Sequence, residues 1–179
     1  MARRGRGGRL LAVLVIVLLV AALAWWRASL SDQVTQVQET QAEYDATVIR
    51  VVDGDTVVAD VQGLPVRVRL IGIDAPESVH PGEEVACAGP EATDQARELL
   101  RPGDAIGLST DPSQDRHDRY QRLLAFLTMP DGRDFGAAMI EAGYAVEFTF
   151  ARPHARQQEY RELERQAARA GVGMWGSCP

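Results

Sequence analysis

Lysine is missing: all 19 basic residues of this 179-residue chain are arginines. That absence points to the coding bias of a GC-rich genome more than to chemistry. A basic surplus is missing too. The formal net charge is −6, and five arginines fall within residues 1–27, which carry no acid; the other 14 face 25 acids, a net of −11. This argues against bulk electrostatic attraction to nucleic acid, so any such binding has to run through a local basic cluster. Zinc-like spacing is also absent. His80, Cys87, His117, His154 and Cys178 are scattered, which ranks a zinc site low. An EF-hand is excluded, because no acidic stretch shows the 12-residue spacing with its closing Glu. Internal repeats are absent. The length allows one modest domain and an appendage.

The start of the chain is not part of a fold. Arg3, Arg4, Arg6 and Arg9 precede an unbroken apolar run over residues 10–26, at the short end of what spans a bilayer as a helix. Positive charge before the run predicts the N-terminus inside and the rest outside. Two readings stay open. Ala22-Leu23-Ala24 fits the cleavage site of a secretory signal peptide. Trp25 and Trp26 before Arg27 fit the aromatic belt of a retained membrane anchor. Both export the remainder. In an exported chain, Cys87 and Cys178 are expected to pair. That bond would tie the C-terminal tail to the middle of the domain, stabilising it by roughly 4 kcal/mol in the chain-entropy account.

Residues 28–44 are polar, with neither Gly nor Pro, and read as a helical stalk or a flexible linker. From residue 45 the pattern becomes that of a folded domain. ATVIRVV, TVVADV and VRVRLIGI read as three strands, being alternating or β-branched. GPEATDQARELLRPG reads as a helix opened by Gly89-Pro90, lined by Ala92, Ala96 and Leu99, and ended by Pro102-Gly103. AIGLST and LLAFLT read as two more strands. FGAAMIEAG is a short helix. HARQQEYRELERQAARAG is a long amphipathic one, with Tyr160, Leu163 and Ala167 inward and Gly171 as C-cap. Five short strands with helices inserted and appended suggest a closed barrel of the oligonucleotide-binding (OB) type. An open α+β sheet is the alternative.

Three stretches hold candidate chemistry. In VVDGDTVVAD, Asp53-Gly54 reads as a tight two-residue turn, because both residue types tolerate positive φ. Asp55 follows it. In RLIGIDAPES, Arg69, Asp74 and Glu77 surround a strand end, and Asp74-Ala75-Pro76 forces a sharp exit. If the first three strands form a meander, Asp55 and Asp74 approach each other. Two adjacent carboxylates repel unless a cation joins them, and oxygen ligands favour Ca²⁺ or Mg²⁺. An ordinary turn is the plain alternative. In SQDRHDRYQRLLAF, Arg116, Arg119 and Arg122 cluster around Tyr120. A solvated loop is the usual meaning of such a run, yet Arg suits forked contact with phosphate and Tyr can stack on a base. Together these parts equip a site for metal-assisted phosphodiester hydrolysis.

VVDGDTVV, VRLIGIDAPES followed by HPGEE, GPEA, DRYQRLLAF, EAGYA and GMWG occur in the order that resembles the staphylococcal nuclease, or thermonuclease, family. The likeness runs from about residue 46 to 175. It implies a five-stranded OB barrel with three helices, and a Ca²⁺-dependent nuclease acting on DNA and RNA to leave 3′-phosphate ends. By motif position it implies Asp55 and Asp74 as calcium ligands, with the Ala75 carbonyl where the family often has Thr. Glu77 would act as general base. Arg69 and Arg122 would hold the scissile phosphate and stabilise its transition state. Arg119 and Tyr120 would bind the nucleotide phosphate. Phe148 and Phe150 fall where the family has a nucleotide-contacting Tyr pair, so stacking is kept and hydroxyl contacts are lost. A monomer is expected. The rival functions are a non-catalytic binding module on the same barrel, against which retention of Asp55, Arg69, Asp74, Glu77 and Arg122 weighs, and an anchored structural domain.

Overall fold

A computed structural model of the chain describes residues 19–23, 43–78 and 85–178. The leader and stalk readings fall almost wholly outside these residues, as does His80. Among the described residues no helix is long and apolar enough to cross a membrane.

Five strands close into a barrel in the order β1-β2-β3-β6-β5. They are β1 (Glu43–Val51), β2 (Thr56–Val61), β3 (Leu64–Leu70), β5 (Ala105–Ser109) and β6 (Leu123–Thr128). β1 pairs antiparallel with both β2 and β5, so the sheet has no free edge there and the open-sheet alternative falls away. The β3–β6 pair is parallel. The alternation seen in the sequence becomes the inside of the barrel: Val48, Val57, Val68, Leu108 and Leu127 are all at most 2% exposed.

VRVRLIGI is not one strand. It breaks at Gly72, whose φ of +82° a side chain disfavours. A Cβ there would also overlap the buried ring of His154. The chain therefore leaves the barrel, and β4 (Ile73–Asp74) pairs instead with β7 (Val146–Glu147). This diversion carries Asp74 away from the barrel ladder.

Helix α1 (Gly89–Leu99) has Pro at its first turn and buries Ala92, Thr93 and Ala96. Leu99 is only partly buried against the core. Helix α2 (Phe135–Glu141) is capped by Asp134, whose carboxylate accepts from the Ala137 N–H. Helix α3 (Gln157–Ala170) buries Tyr160 and Ala167 and ends at Gly171 with φ +63°, as its sequence predicts. Among the described residues of 43–178 a fourth helix, α4 (Met174–Ser177), lies beyond the three that the family resemblance implies. Phe135, Met139, Ile140 and Tyr160 pack into the same core as the barrel. Cys178, after α4, is disulfide-bonded to Cys87, before α1, as expected of the pair.

The expected two-residue turn at Asp53-Gly54 is replaced by a longer connection. β1 ends at Val51 and β2 begins at Thr56, and the Val52 N–H donates to the Thr56 carbonyl at 2.9 Å. Neither Asp53 nor Gly54 is among the residues with positive φ. Gly54 is needed for closeness instead: a Cβ on it would lie 2.5 Å from the Ala75 Cβ. The loop is pressed against the segment that follows β4.

Candidate active site

Three loops meet at one rim of the barrel. The β1–β2 loop supplies Asp53 and Asp55, the exit from β4 supplies Asp74, Ala75 and Glu77, and the approach to β6 supplies Tyr120 and Arg122. Together with Arg69 at the end of β3 they line one cleft of about 660 Å³. Ladder geometry explains part of this. Arg69 pairs across the sheet with Thr56, and the Leu70 N–H donates to the Asp55 carbonyl at 2.9 Å, so Asp55 and Arg69 are neighbours by register. Asp55 then reaches the exit from β4 by accepting from the Ala75 N–H at 3.1 Å.

Arg69 sits between the two carboxylates expected to hold a metal. Its Nε is 3.1 Å from Asp55 Oδ1, and its Nη2 donates to Asp74 Oδ1 at 2.9 Å. Nη1 donates to the carbonyls of Leu70 and Ile73 at 2.8 and 2.7 Å. All three nitrogens of its guanidinium are thus engaged, which fixes the side chain.

The carboxylates are crowded. Burial, then the charge of Asp55, pushes Asp53 up to about 6. Burial also raises Asp74, opposed by Arg69 and reinforced by Asp55 and Glu77. In the sequence Asp53 reads as turn chemistry alone. Its side chain in fact faces the cleft and accepts from the Asp55 N–H at 3.1 Å. The acidic Asp-Gly-Asp repeat was the signal that both Asp side chains matter.

The second basic cluster divides. Arg122 is held by Asp118, through Nε to Oδ2 at 2.6 Å and through its backbone N–H to Oδ1 at 2.9 Å. Burial alone would raise the Asp118 carboxyl, but these bonds outweigh it and leave it below the usual range. Asp118 had no local signal in sequence that it would orient Arg122. The Arg122 and Arg119 guanidinium carbons lie 5.3 and 4.7 Å from the centre of the Tyr120 ring, and Arg119 donates to the Tyr120 hydroxyl at 2.6 Å. Arg116 instead contacts Tyr44.

A neighbouring pocket of about 470 Å³ shares Arg69, Tyr120 and Arg122 with the acidic cleft and adds Arg119, Phe148 and Phe150. Phe148 and Phe150 are 42% and 85% exposed, with ring centroids 6.3 Å apart. Exposed aromatic faces beside arginines form a surface on which bases can stack. The sequence-predicted residues thus fall into two adjoining sets, one acidic and one aromatic, joined by Arg69, Tyr120 and Arg122. Cys87 and Cys178 belong to neither.

The donor set suits a hard cation. Asp53, Asp55 and Asp74 offer only oxygen, and their mutual repulsion is what a divalent ion relieves. Among the described residues no group of three or more His, Cys, Asp or Glu is arranged to enclose a metal by itself. The fit is to an ion completed by water and substrate oxygens.

A family model described as "Staphylococcal nuclease homologue" matches residues 67–177. Asp53 and Asp55 precede that matched segment. The chain is 33% identical over 132 residues to a thermonuclease of Staphylococcus hyicus, covering 73% of this chain and 75% of that protein. It is 30% identical over 145 residues to endonuclease YhcR of Bacillus subtilis (strain 168), covering 75% of this chain and 12% of that protein. The SPbeta prophage-derived endonuclease YokF of the same organism is 30% identical over 132 residues, covering 73% of this chain and 44% of that protein. The chain thus spans three quarters of the first relative and less than half of the two from Bacillus.

Proposed function

The chain belongs to the staphylococcal nuclease family and is a nuclease, and from that premise we propose that it is an exported Ca²⁺-dependent enzyme that hydrolyses DNA and RNA to 3′-phosphate ends. One observation carries this reading. Asp55, Arg69, Asp74, Glu77 and Arg122, drawn from separate stretches of sequence, line a single cleft.

Asp55 and Asp74, with the Ala75 carbonyl, would hold the Ca²⁺, and Asp53 adds negative charge behind them. When bound, the ion supplies positive charge for the phosphate oxygens. Arg69 and Arg122 offset the charge that grows on the phosphoryl oxygens as five-coordinate phosphorus forms. Arg122, held through Nε by Asp118, directs its terminal nitrogens to phosphate. Glu77 takes a proton from the attacking water as the new P–O bond forms. The bond to the 5′-oxygen opposite breaks, and that oxygen takes a proton from solvent water as it leaves. Arg119 and Tyr120 hold a neighbouring phosphate, while Phe148 and Phe150 stack on bases without a hydroxyl to read them. Such stacking is tolerant of base sequence.

Export is supported by the arginine-flanked apolar run at residues 10–26 and by the Cys87–Cys178 bond, which an oxidising compartment maintains. The enzyme is released if the leader is cleaved and anchored if it is not.

The test is to give the oxidised full-length chain single-stranded DNA and RNA, with Ca²⁺ and then with a chelator, and to determine the product ends. Ca²⁺-dependent fragments ending in 3′-phosphate are expected. Binding without cleavage by a folded sample would instead make it a non-catalytic module.

A further inference from the structure

The disulfide lies outside the cleft, yet it is joined to Glu77 by a short path. The Ala86 N–H donates to the Glu77 carbonyl at 3.0 Å, and the Gly89 N–H donates to the Ala86 carbonyl at 3.0 Å. Gly89, the first residue of α1, lies so close to this peptide that a Cβ would overlap the Glu77 carbonyl oxygen. Ser78 ties the same segment to α1 through Thr93, with the hydroxyl oxygens 2.6 Å apart, and its N–H donates to Glu77 Oε1 at 3.0 Å. Residues 86–93 are therefore the bed on which the Glu77–Ser78 peptide rests.

That bed begins under strain. Ala88, the N-cap of α1, has φ +63°, which a Cβ disfavours, and no side chain caps the helix there. A strained residue persists only when its surroundings fix it. The neighbouring Cys87 is bonded to Cys178. Cys178 is itself held, because its N–H donates to the Met174 carbonyl at 2.9 Å and the Met174 N–H to the Gly143 carbonyl at 2.9 Å. Met174 and Ala86 both line the acidic cleft.

We propose that Cys87 and Cys178 are positioning residues for hydrolysis: their bond fixes the strained turn at the start of α1, and the turn fixes Glu77 against the attacking water. The inference rests on the nuclease reading above. It predicts that the bond acts on turnover more than on substrate binding. The groups that grip phosphate and base stand on β3, the approach to β6 and the segment after β7, and among the described residues none is hydrogen-bonded to residues 86–89. A displacement of about 1 Å at a reacting group can lower turnover by on the order of 100-fold.

The experiment compares the oxidised full-length chain with its Cys87→Ala/Cys178→Ala variant on single-stranded DNA at saturating Ca²⁺. Each is tested with and without Glu77→Gln. Without the bond, kcat should fall on the order of 10-fold or more while KM changes less than about two-fold, in a chain still folded by circular dichroism. On the Glu77→Gln background, loss of the bond should leave the residual rate unchanged, because the residue it positions is already disabled. Rejoining the two thiols of reduced wild-type protein through a single methylene should restore most of kcat. An unchanged kcat overturns the proposal. So does an equal fold-loss on both backgrounds, which would mark a role independent of Glu77. If the bond-free variant fails to fold, Gly89→Ala in the oxidised chain serves instead. Its Cβ pushes on the Glu77 carbonyl with the bond intact, so the same Glu77-dependent loss is expected, and full turnover refutes the proposal. An oxidised wild-type chain without nuclease activity would refute the functional reading itself, whereas an active wild type with an undiminished bond-free variant refutes only this inference.

Discussion

Gly54→Ala tests whether the acidic loop and the Ala75 segment are set by mutual contact. The new Cβ would stand 2.5 Å from the Ala75 Cβ. Carbon atoms in contact settle at roughly 3.5–4.0 Å, so one loop must move by about 1 Å or more. The clash is with a Cβ fixed to the backbone, and no rotamer change relieves it. Forcing an extra methyl into such a place costs about 1–3 kcal/mol. The same shift parts Asp55 from Ala75 and should lower turnover by on the order of 100-fold. Removing the obstacle should reverse the effect. With Ala75→Gly added, the nearest remaining atoms are the Ala92 Cβ and Met139 Cε, both at 3.4 Å, a tight but tolerable fit. Urea denaturation and steady-state hydrolysis of single-stranded DNA measure the two effects. The double variant should be more stable and more active than Gly54→Ala alone, the mark of direct coupling. A Gly54→Ala protein with normal stability and rate would refute the reasoning, as would a double variant no better than the single.

Asp118→Ala should leave Arg122 in place but unoriented, lowering kcat by about 10-fold or more with the fold intact; an unchanged rate would show that Arg122 needs no partner. Arg122→Lys should also impair turnover, since an ammonium lacks the planar fork, and kinetics under saturating substrate would reveal it. Asp134→Ala removes the α2 cap and leaves the Tyr160 hydroxyl, now 2.9 Å from its carboxylate, without that acceptor. The expected loss is about 2–4 kcal/mol in urea denaturation, and a loss under about 0.5 kcal/mol would contradict it. The His154 contribution to stability should fall as solution is acidified below about pH 6.5, the usual imidazole value, while Asp53, pushed up to about 6, takes up its proton first in the folded chain and contributes in the opposite sense. Burial holds His154 below that value against the pull of Glu147, so the unfolded chain takes up the proton first. Glu147 and Asp111 add to the acid limb at lower pH. Burial raises each, but hydrogen bonds from Thr149 and Arg161 to the one, and from the backbone of Ala155 and Ser113 to the other, bring both below their ordinary values. His154→Gln should flatten the stability curve just below about pH 6.5, and an unaltered curve would remove His154 from the account.

The barrel was legible because its strands obey a local rule. β-branched residues at alternating positions demand a buried face, and Val48, Val57 and Val68 found it inside the barrel. Pro90 and Gly171 marked helix ends for equally local reasons, fixed φ in one and positive φ in the other. The members of the cleft were legible because each stood beside a strand end or turn. Other features depend on residues far apart in the chain. Gly54 is close-packed against Ala75, and no local pattern announces a contact across that span. Gly72 ends β3 early because His154 lies over it, so VRVRLIGI looks continuous in sequence and is divided in space. Asp53 was hidden by a sufficient local explanation, since Asp before Gly already makes a good turn. Asp118 was hidden because an acid four residues from an Arg in an irregular loop carries no periodic signal.

The central claim is that Glu77 activates water in a Ca²⁺-dependent hydrolysis within this cleft. The most direct measurement is kcat for Glu77→Gln against wild type, as oxidised full-length proteins, on single-stranded DNA with saturating Ca²⁺. Gln keeps the size and hydrogen-bonding reach of the side chain but accepts no proton, so kcat should fall by about 100-fold or more with KM and thermal stability nearly unchanged. A Glu77→Gln enzyme that turns over at the wild-type rate, or a wild-type rate indifferent to removal of Ca²⁺, would contradict the account.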